Sequence, residues 1–236
     1  MASLTIAAAA FLATMAGGLI ALRLRDRLHL ILGFSAGAVV GVAFLDLLPE
    51  ALRMAPGDPA HTMLWVAGGF LFYLLLDRVA LLHSHDEGHG HAPPRGAVGA
   101  IILVAHSVFD GLAIGFSFQV SAAVGVAVAI AVITHDFSDG INTMSVVLKN
   151  GGARGDGLRW LFADALAPTV GVALTFLVHP SGSVFATILA VFAGLFFYLG
   201  ASDLVPESQH AHPKILTTAM TVLGAGSVYL ASTLAS

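Results

Sequence analysis

Residues 97–118 read AVGAIILVAHSVFDGLAIGFSF, an apolar segment with a polar motif near its centre. The segment is long enough for a transmembrane helix, which needs about 20 predominantly apolar residues. Its centre nevertheless carries the motif HSVFDG, from His106 to Gly111. Because an ionisable side chain in the bilayer interior is costly, these polar residues indicate a functional site within a membrane-spanning helix.

The rest of the chain has the same apolar character. Of its 236 residues, 57% are hydrophobic and only 10% are charged, whereas soluble domains contain about 25% charged residues. This composition excludes an ordinary soluble fold and a disordered chain, and the absence of Cys excludes a disulfide scaffold. With 14 acidic against 10 basic residues, a basic nucleic-acid binder is excluded as well. We predict an all-α polytopic membrane protein, because helices satisfy their own backbone hydrogen bonds in lipid.

Eight apolar segments are long enough to cross a bilayer as helices. We predict spans one to eight at residues 2–22, 30–52, 62–82, 97–118, 122–148, 158–178, 184–205 and 215–234. The loops between them are too short to hold a second domain. Residues 1–236 are therefore expected to form a single transmembrane domain.

The Lys and Arg residues are distributed unevenly between the two sides of the predicted bundle. Nine of the ten lie in or beside the loops after spans one, three, five and seven, and only Arg53 lies on the other side. Loops rich in Lys and Arg stay in the cytoplasm. We therefore expect both termini to be extracytoplasmic, in a multi-pass protein of the cytoplasmic (plasma) membrane whose surroundings are the lipid bilayer.

The longest loop, residues 83–95, is rich in histidine and lies on the predicted cytoplasmic side. Its four histidines are His83, His85, His89 and His91. Closely spaced histidines suit loose, exchangeable contacts with metal ions. The alternative interpretation is a polar linker that has no role in metal binding.

Two pairs of short motifs recur along the chain. The end of span two reads DLLPE (46–50) and the end of span seven DLVPE (203–207), while HSVFDG in span four is echoed by HDFSDG (135–140) in span five. The members of each pair lie in spans of opposite direction, which is typical of inverted repeats with a binding site near the membrane centre. The acidic residues of the first pair could be entry and exit positions for a cation, or interfacial helix caps. They are Asp46, Glu50, Asp203 and Glu207.

Spans four and five place several carboxyl groups at one depth without a compensating basic residue. Asp110, Asp136 and Asp139 lie near mid-span, and Asp164 of span six is expected close to them. No Lys or Arg interrupts spans four or five, so the repulsion must be relieved by protonation or by a bound cation. Histidine nitrogens beside carboxylate oxygens favour Zn²⁺ and similar divalent metals, and a chain without Cys has no thiolate site.

Helical geometry groups these side chains into two candidate metal positions. In each motif the His and the Asp four residues later lie about 40° apart around the helix axis. Asn142 is expected on the same face as His135 and is a further candidate metal ligand. If the two helix faces meet, the first position has the ligands His106, Asp110, His135 and Asp139. The second, oxygen-only position would use Asp110, Asp139, Asp136 and Ser107, with Asp164 as a further ligand. The alternative for each His–Asp pair is a buried hydrogen bond without a metal.

With these motifs the sequence resembles the Zrt/Irt-like (ZIP) family of divalent metal transporters. The span-four pattern of that family, H-[NS]-x-x-[DE]-G, is matched from His106 to Gly111, and its span-five pattern is matched by His135 and Asp139. The resemblance implies eight spans, extracytoplasmic termini, a His-rich cytoplasmic loop and transported metal at the first position. It also implies movement of metal toward the cytoplasm, with spans four and five shifting as part of a carrier unit. Span six departs from the family pattern, with Ala167 where many members have Glu.

We therefore predict a carrier, not an enzyme, for Zn²⁺ or for Fe²⁺, Mn²⁺ or Cd²⁺, which works by alternating access. The metal is the transported substrate, and no cofactor and no nucleic-acid partner are expected. Two alternatives remain open: an intramembrane zinc-dependent hydrolase whose zinc keeps an open water position, and a proton-coupled carrier of organic solutes. Small residues in stretches such as GGFLF (68–72) would permit a homodimer.

Overall fold

The computed structural model describes residues 2–21, 28–55, 57–85, 95–178, 180–209 and 215–235. Within these ranges the regular elements are all helical, and two of them are short π-helical turns. In chain order the elements are α1 (Ala2–Ala21), α2 (Leu28–Val42), π1 (Ala43–Leu47), α3 (Leu48–Met54), α4 (Pro59–His85), α5 (Arg95–Val120), α6 (Ala122–Lys149), α7 (Arg154–Thr175), α8 (Gly182–Tyr198), π2 (Leu199–Leu204), α9 (Val205–Gln209) and α10 (Ile215–Ala235).

The lengths and compositions of these helices are those of a membrane bundle. Among the described residues, seven helical stretches are long and apolar enough to cross a bilayer, and Leu32–Met54 and Gly182–Gln209 each run through a π turn. The last helix, α10, contributes a shorter apolar stretch, Ile215–Leu230. The predicted class, an all-α polytopic membrane protein, is confirmed.

The two recurring acidic motifs adopt the same local backbone. In each π turn, the backbone N–H at its end bonds a carbonyl five residues earlier, from Leu48 to Ala43 in π1 and from Val205 to Gly200 in π2. A proline follows directly in both sequences. Because proline has no N–H and its ring crowds the carbonyl four residues earlier, a widened turn before it relieves that crowding. The DLLPE and DLVPE motifs therefore share a structure as well as a sequence.

The helices pack in two groups. The first helix group consists of α1, α5, α6 and α7, and the second helix group consists of α2, α3, α4, α8, α9 and α10 with the two π turns. Between the groups, α6 packs against α2 and α10, whereas α4 and α5 touch only sparsely. The two polar motifs, on α5 and α6, thus belong to the same group and face the boundary with the other.

Glycines allow the helices of the first group to approach one another closely. A Cβ added to Gly111 of α5 or to Gly171 of α7 would overlap the backbone of the other helix. The same holds for Gly17 of α1 and Gly140 of α6. Gly111 and Gly140 end the HSVFDG and HDFSDG motifs, so the motif glycines bring their helices against α7 and α1 and thereby position the polar side chains that precede them.

Candidate metal site

Four of the predicted site residues come together between α5 and α6. They are His106 and Asp110 of α5 and His135 and Asp139 of α6. Within each pair the residues are four apart, so their side chains lie on one face of the helix, one turn above the other. All four side chains are buried, and each offers a ligand atom that lies within 4.8 Å of the other three.

The distances between these ligand atoms suit a small four-coordinate metal ion. His106 Nε2 lies 3.2 Å from Asp110 Oδ2 and 3.6 Å from Asp139 Oδ2. His135 Nε2 lies 3.4 Å from Asp110 Oδ1 and 3.7 Å from Asp139 Oδ2. Tetrahedral zinc with bonds of about 2.0–2.1 Å places its ligand atoms about 3.3–3.4 Å apart. The four residues could therefore hold Zn²⁺ with small movements of their side chains.

The two imidazole rings are oriented by different partners. His135 Nδ1 donates a hydrogen bond of 2.8 Å to the backbone carbonyl of Ala131 on its own helix. A carbonyl can only accept, so Nδ1 carries the hydrogen of this bond, and Nε2 is the nitrogen that faces the carboxylates and that a metal could bind. His106 Nδ1 instead lies 3.2 Å from the hydroxyl of Tyr73 on α4. A hydroxyl can donate or accept, so this contact fits either tautomer of His106. Because Tyr73 lies on α4, the partner of His106 belongs to the second helix group.

The site carries more negative than positive charge. His106 Nε2 and Asp110 Oδ2 make no hydrogen bond with any residue that the structure describes, although they lie 3.2 Å apart. His135 Nε2 lies 3.4 Å from the other oxygen of Asp110, Oδ1. Both carboxylate oxygens of Asp136 are likewise without a hydrogen bond in the described part of the chain. Lone pairs gathered in this way are costly to bury unless a cation joins them.

Beside this cluster, Asp164 of α7 is held by two hydroxyl groups. Ser107 Oγ donates to its Oδ1 at 2.6 Å, and Thr143 Oγ1 donates to its Oδ2 at 2.7 Å. Sequence reasoning missed Thr143, although it lies seven residues after Asp136 and thus on the same face of α6. The bonds tie α5, α6 and α7 together. Asp136 Oδ1 lies 4.0 Å from His135 Nε2, a member of the four-residue cluster.

The four-residue cluster adjoins a large cavity and a much smaller void. The cavity, about 500 Å³ in volume, lies between α4, α5 and α6, extends from His106 to Asn150 and is lined also by Asn142. Asn142 therefore borders the cavity together with His106, and its part in metal binding stays a prediction. Phe192 and Phe196 of α8 border the small void, of only about 10 Å³, beside His106 and Asp110.

Three of the four predicted entry and exit residues have described side chains, and these lie outside this cluster. Asp46 is buried in π1, Glu50 of α3 accepts two hydrogen bonds from Arg53, and Glu207 of α9 is exposed. None of these described side chains joins the four-residue group. The backbone of Asp203 belongs to π2, but its side chain lies outside the described part of the structure.

The predicted His-rich loop is described only at its edges. His83 and His85 belong to the last turn of α4, whose helix runs further than the predicted span, and their side chains are outside the description. His89 and His91 lie outside the described residues altogether. Their contacts with metal ions therefore stay predictions.

Comparisons with known proteins agree with the motifs. The profile of a family described as ZIP zinc transporter matches residues 2–100 and 82–232. Mouse zinc transporter ZIP13 is 25% identical over 225 residues, which cover 77% of this chain and 62% of that protein. Zinc transporter YKE4 of Saccharomyces cerevisiae is 26% identical over 227 residues, covering 80% of this chain and 65% of its own.

A third relative, zinc transporter ZIP6 of Pongo abelii, is 32% identical over 136 residues, or 54% of this chain and 18% of that protein. The chain thus spans less than two thirds of the length of each of these relatives. The family profile, by contrast, matches almost the whole of the chain, including both polar motifs. The chain belongs to the ZIP zinc transporter family.

Proposed function

We propose that this protein carries divalent transition-metal ions, Zn²⁺ first among them and Fe²⁺, Mn²⁺ or Cd²⁺ as alternatives, through the site between α5 and α6. The observation that carries the proposal is the buried cluster of His106, Asp110, His135 and Asp139, whose ligand atoms lie within 4.8 Å of one another. A dication at its centre would neutralise both carboxylates and use both imidazole lone pairs. The family membership supports the same substrate class.

The ligand set favours a carrier over an enzyme. A catalytic zinc keeps one coordination position open for water, usually with three protein ligands. Here four protein groups surround one point, which leaves no open position in a tetrahedral ion. Imidazole and carboxylate ligands also bind reversibly, because protons compete for them, and the chain contains no Cys that would hold zinc more firmly.

We also propose a second, weaker position next to the first, formed by Asp136 with Asp110, Asp139 and Ser107. The support is that both oxygens of Asp136 are buried without a hydrogen bond in the described structure. Ser107 is hydrogen bonded to Asp164, so a cation at this position would have to compete for the Ser107 oxygen. Asp164 stays a predicted further ligand of this second position.

For the transport cycle we propose alternating access with release toward the cytoplasm. The first helix group, which carries the metal site, would move against the second helix group, and the sparse contact of α4 with α5 supports such a division. The cavity beside His106 reaches Asn150, next to the basic loop expected in the cytoplasm.

The remaining expectations are proposals about the surroundings of this site. Residues 1–236 would form one transmembrane domain in the plasma membrane, with both termini outside the cytoplasm and a homodimer permitted by small residues. Asp46, Glu50, Asp203 and Glu207 would be way-stations for the cation at the membrane faces. The histidines of residues 83–95 would contact metal on the cytoplasmic side.

The proposal is tested by uptake of radioactive zinc into vesicles that contain the purified protein. We expect uptake by the wild type and its loss in His106→Ala and Asp139→Ala, because each substitution removes one of four ligands. The matched control is His61→Ala, which removes an exposed histidine from the start of α4. Equal uptake by the wild type and both site variants would overturn the proposal, and so would equal loss in the control.

A further inference from the structure

We propose that Tyr73 is a positioning residue that holds His106 in its ligating orientation and does so from across the boundary between the two helix groups. This inference rests on the proposed function, because it concerns the same metal site. The two imidazole rings of the site have hydrogen-bond partners of different origin. His135 is held by a carbonyl of its own helix, whereas His106 is held by a side chain of α4.

The contact between Tyr73 and His106 is specific in geometry. The hydroxyl oxygen lies 3.2 Å from His106 Nδ1, and the rings meet edge to face, with centroids 5.4 Å apart and planes at 84°. When Nδ1 carries the hydrogen and donates it to the hydroxyl, His106 Nε2 presents its lone pair to the carboxylates. A partner behind a metal-binding imidazole sets its tautomer and ring orientation in this way.

Tyr73 is itself fixed by the second helix group. Its ring lies 5.2 Å from that of Tyr198 on α8, and the hydroxyl of Tyr198 donates a hydrogen bond of 2.8 Å to Asp77 Oδ2 on α4. Tyr198 on α8 and Asp77 on α4 both belong to the same helix group as Tyr73.

The consequence concerns the transport cycle. Since Ala131 moves together with His135, that ring keeps its orientation in every arrangement of the two groups. His106 keeps its partner only while α5 stays in its present place beside α4. Movement of the first helix group would break this hydrogen bond and leave the His106 ring free to turn, so the site would hold its metal more weakly in the other arrangement. Tyr73 thus adds affinity in the arrangement described here and slows departure from it.

The test compares Tyr73→Phe with the control Tyr229→Phe, which removes the hydroxyl of an exposed tyrosine on α10. Both variants keep the ring, so packing is preserved. For Tyr73→Phe we expect the KM of zinc uptake to rise about fivefold, the effect of losing one hydrogen bond of ordinary strength. Vmax should be equal to that of the wild type or higher, because the bond no longer has to break. Tyr229→Phe should leave both values unchanged.

An unchanged KM for Tyr73→Phe would overturn the inference, and so would any fall in Vmax, which a merely structural role would produce. Equilibrium dialysis of zinc against the purified proteins separates this inference from the proposed function. If the wild type failed to transport zinc, the transporter proposal would fall, yet a dissociation constant about fivefold weaker in Tyr73→Phe than in Tyr229→Phe would still support the role of Tyr73. Equal dissociation constants would refute it.

Discussion

Asp164 of α7 and Asp110 of α5 are both buried within the bundle, and they differ in how their charge is accommodated. Asp164 receives a hydrogen bond on each oxygen, from Ser107 and from Thr143. Asp110 faces two imidazole nitrogens at 3.2 and 3.4 Å, and its Oδ2 receives no hydrogen bond from the described residues. Hydroxyl donors thus satisfy Asp164, whereas Asp110 belongs to a cluster in which carboxylate and imidazole groups surround one point.

An aspartate inside a membrane bundle can therefore be tolerated for two distinct reasons. Hydroxyl donors can satisfy it, in which case it fastens helices together. Alternatively, a bound cation can balance its charge, in which case it belongs to a binding site. The residue type is the same in both cases, so the local hydrogen bonds distinguish structure from function. The following substitutions test that distinction.

The largest effect is expected for Asp110→Asn, which removes the charge that both histidines face. Loss of a partner behind a metal ligand already costs about 10- to 100-fold, so loss of a ligand charge should lower zinc uptake at limiting concentration by about 100-fold. Initial rates of uptake into vesicles measure this. Asp156→Asn, an exposed change on α7, is the matched control and should transport normally. Wild-type rates in Asp110→Asn would contradict the metal site.

A smaller effect, on stability, is expected for Gly171→Ala. The new Cβ would overlap the backbone of α5 and push α7 away from it, which would strain the hydrogen bonds of Asp164. Overpacking of this kind costs about 1–3 kcal/mol in the free energy of unfolding. Denaturation of the purified protein in detergent measures it, with Gly226→Ala as the control because open space surrounds that position. Equal stability of the two variants would show that the close approach is not needed.

The smallest effect on transport is expected for Asp164→Asn. The amide oxygen still accepts from one hydroxyl, and the lost charge faces no imidazole directly, so uptake should fall by less than about threefold while stability drops by about 1 kcal/mol. Uptake rates and unfolding curves of the same preparation give both values. A tenfold or greater loss of uptake with unchanged stability would instead make Asp164 a ligand of the second metal position.

Much of the candidate site could be predicted from the motifs, for a local reason. The spacing of four residues between His106 and Asp110, and between His135 and Asp139, places each pair on one helix face. The same periodicity places Thr143 on the face of Asp136, but no pattern marks it as a site residue because a threonine in an apolar helix has many other roles. Tyr73 could not be found in this way, since it comes from α4, 33 residues before His106, and no motif marks it.

Hydropathy and helical periodicity act within a single segment, so the amino-acid sequence alone predicts a bundle of membrane helices and the polar side chains that share a helix face. The meeting of the α5 and α6 faces, and the hydroxyls from two helices that satisfy Asp164, come from the packing of the folded chain. It also decided that the second helix group supplies the partner of His106. These features depend on how closely helices distant in the sequence approach, which is set by packing at Gly111, Gly140 and their partners.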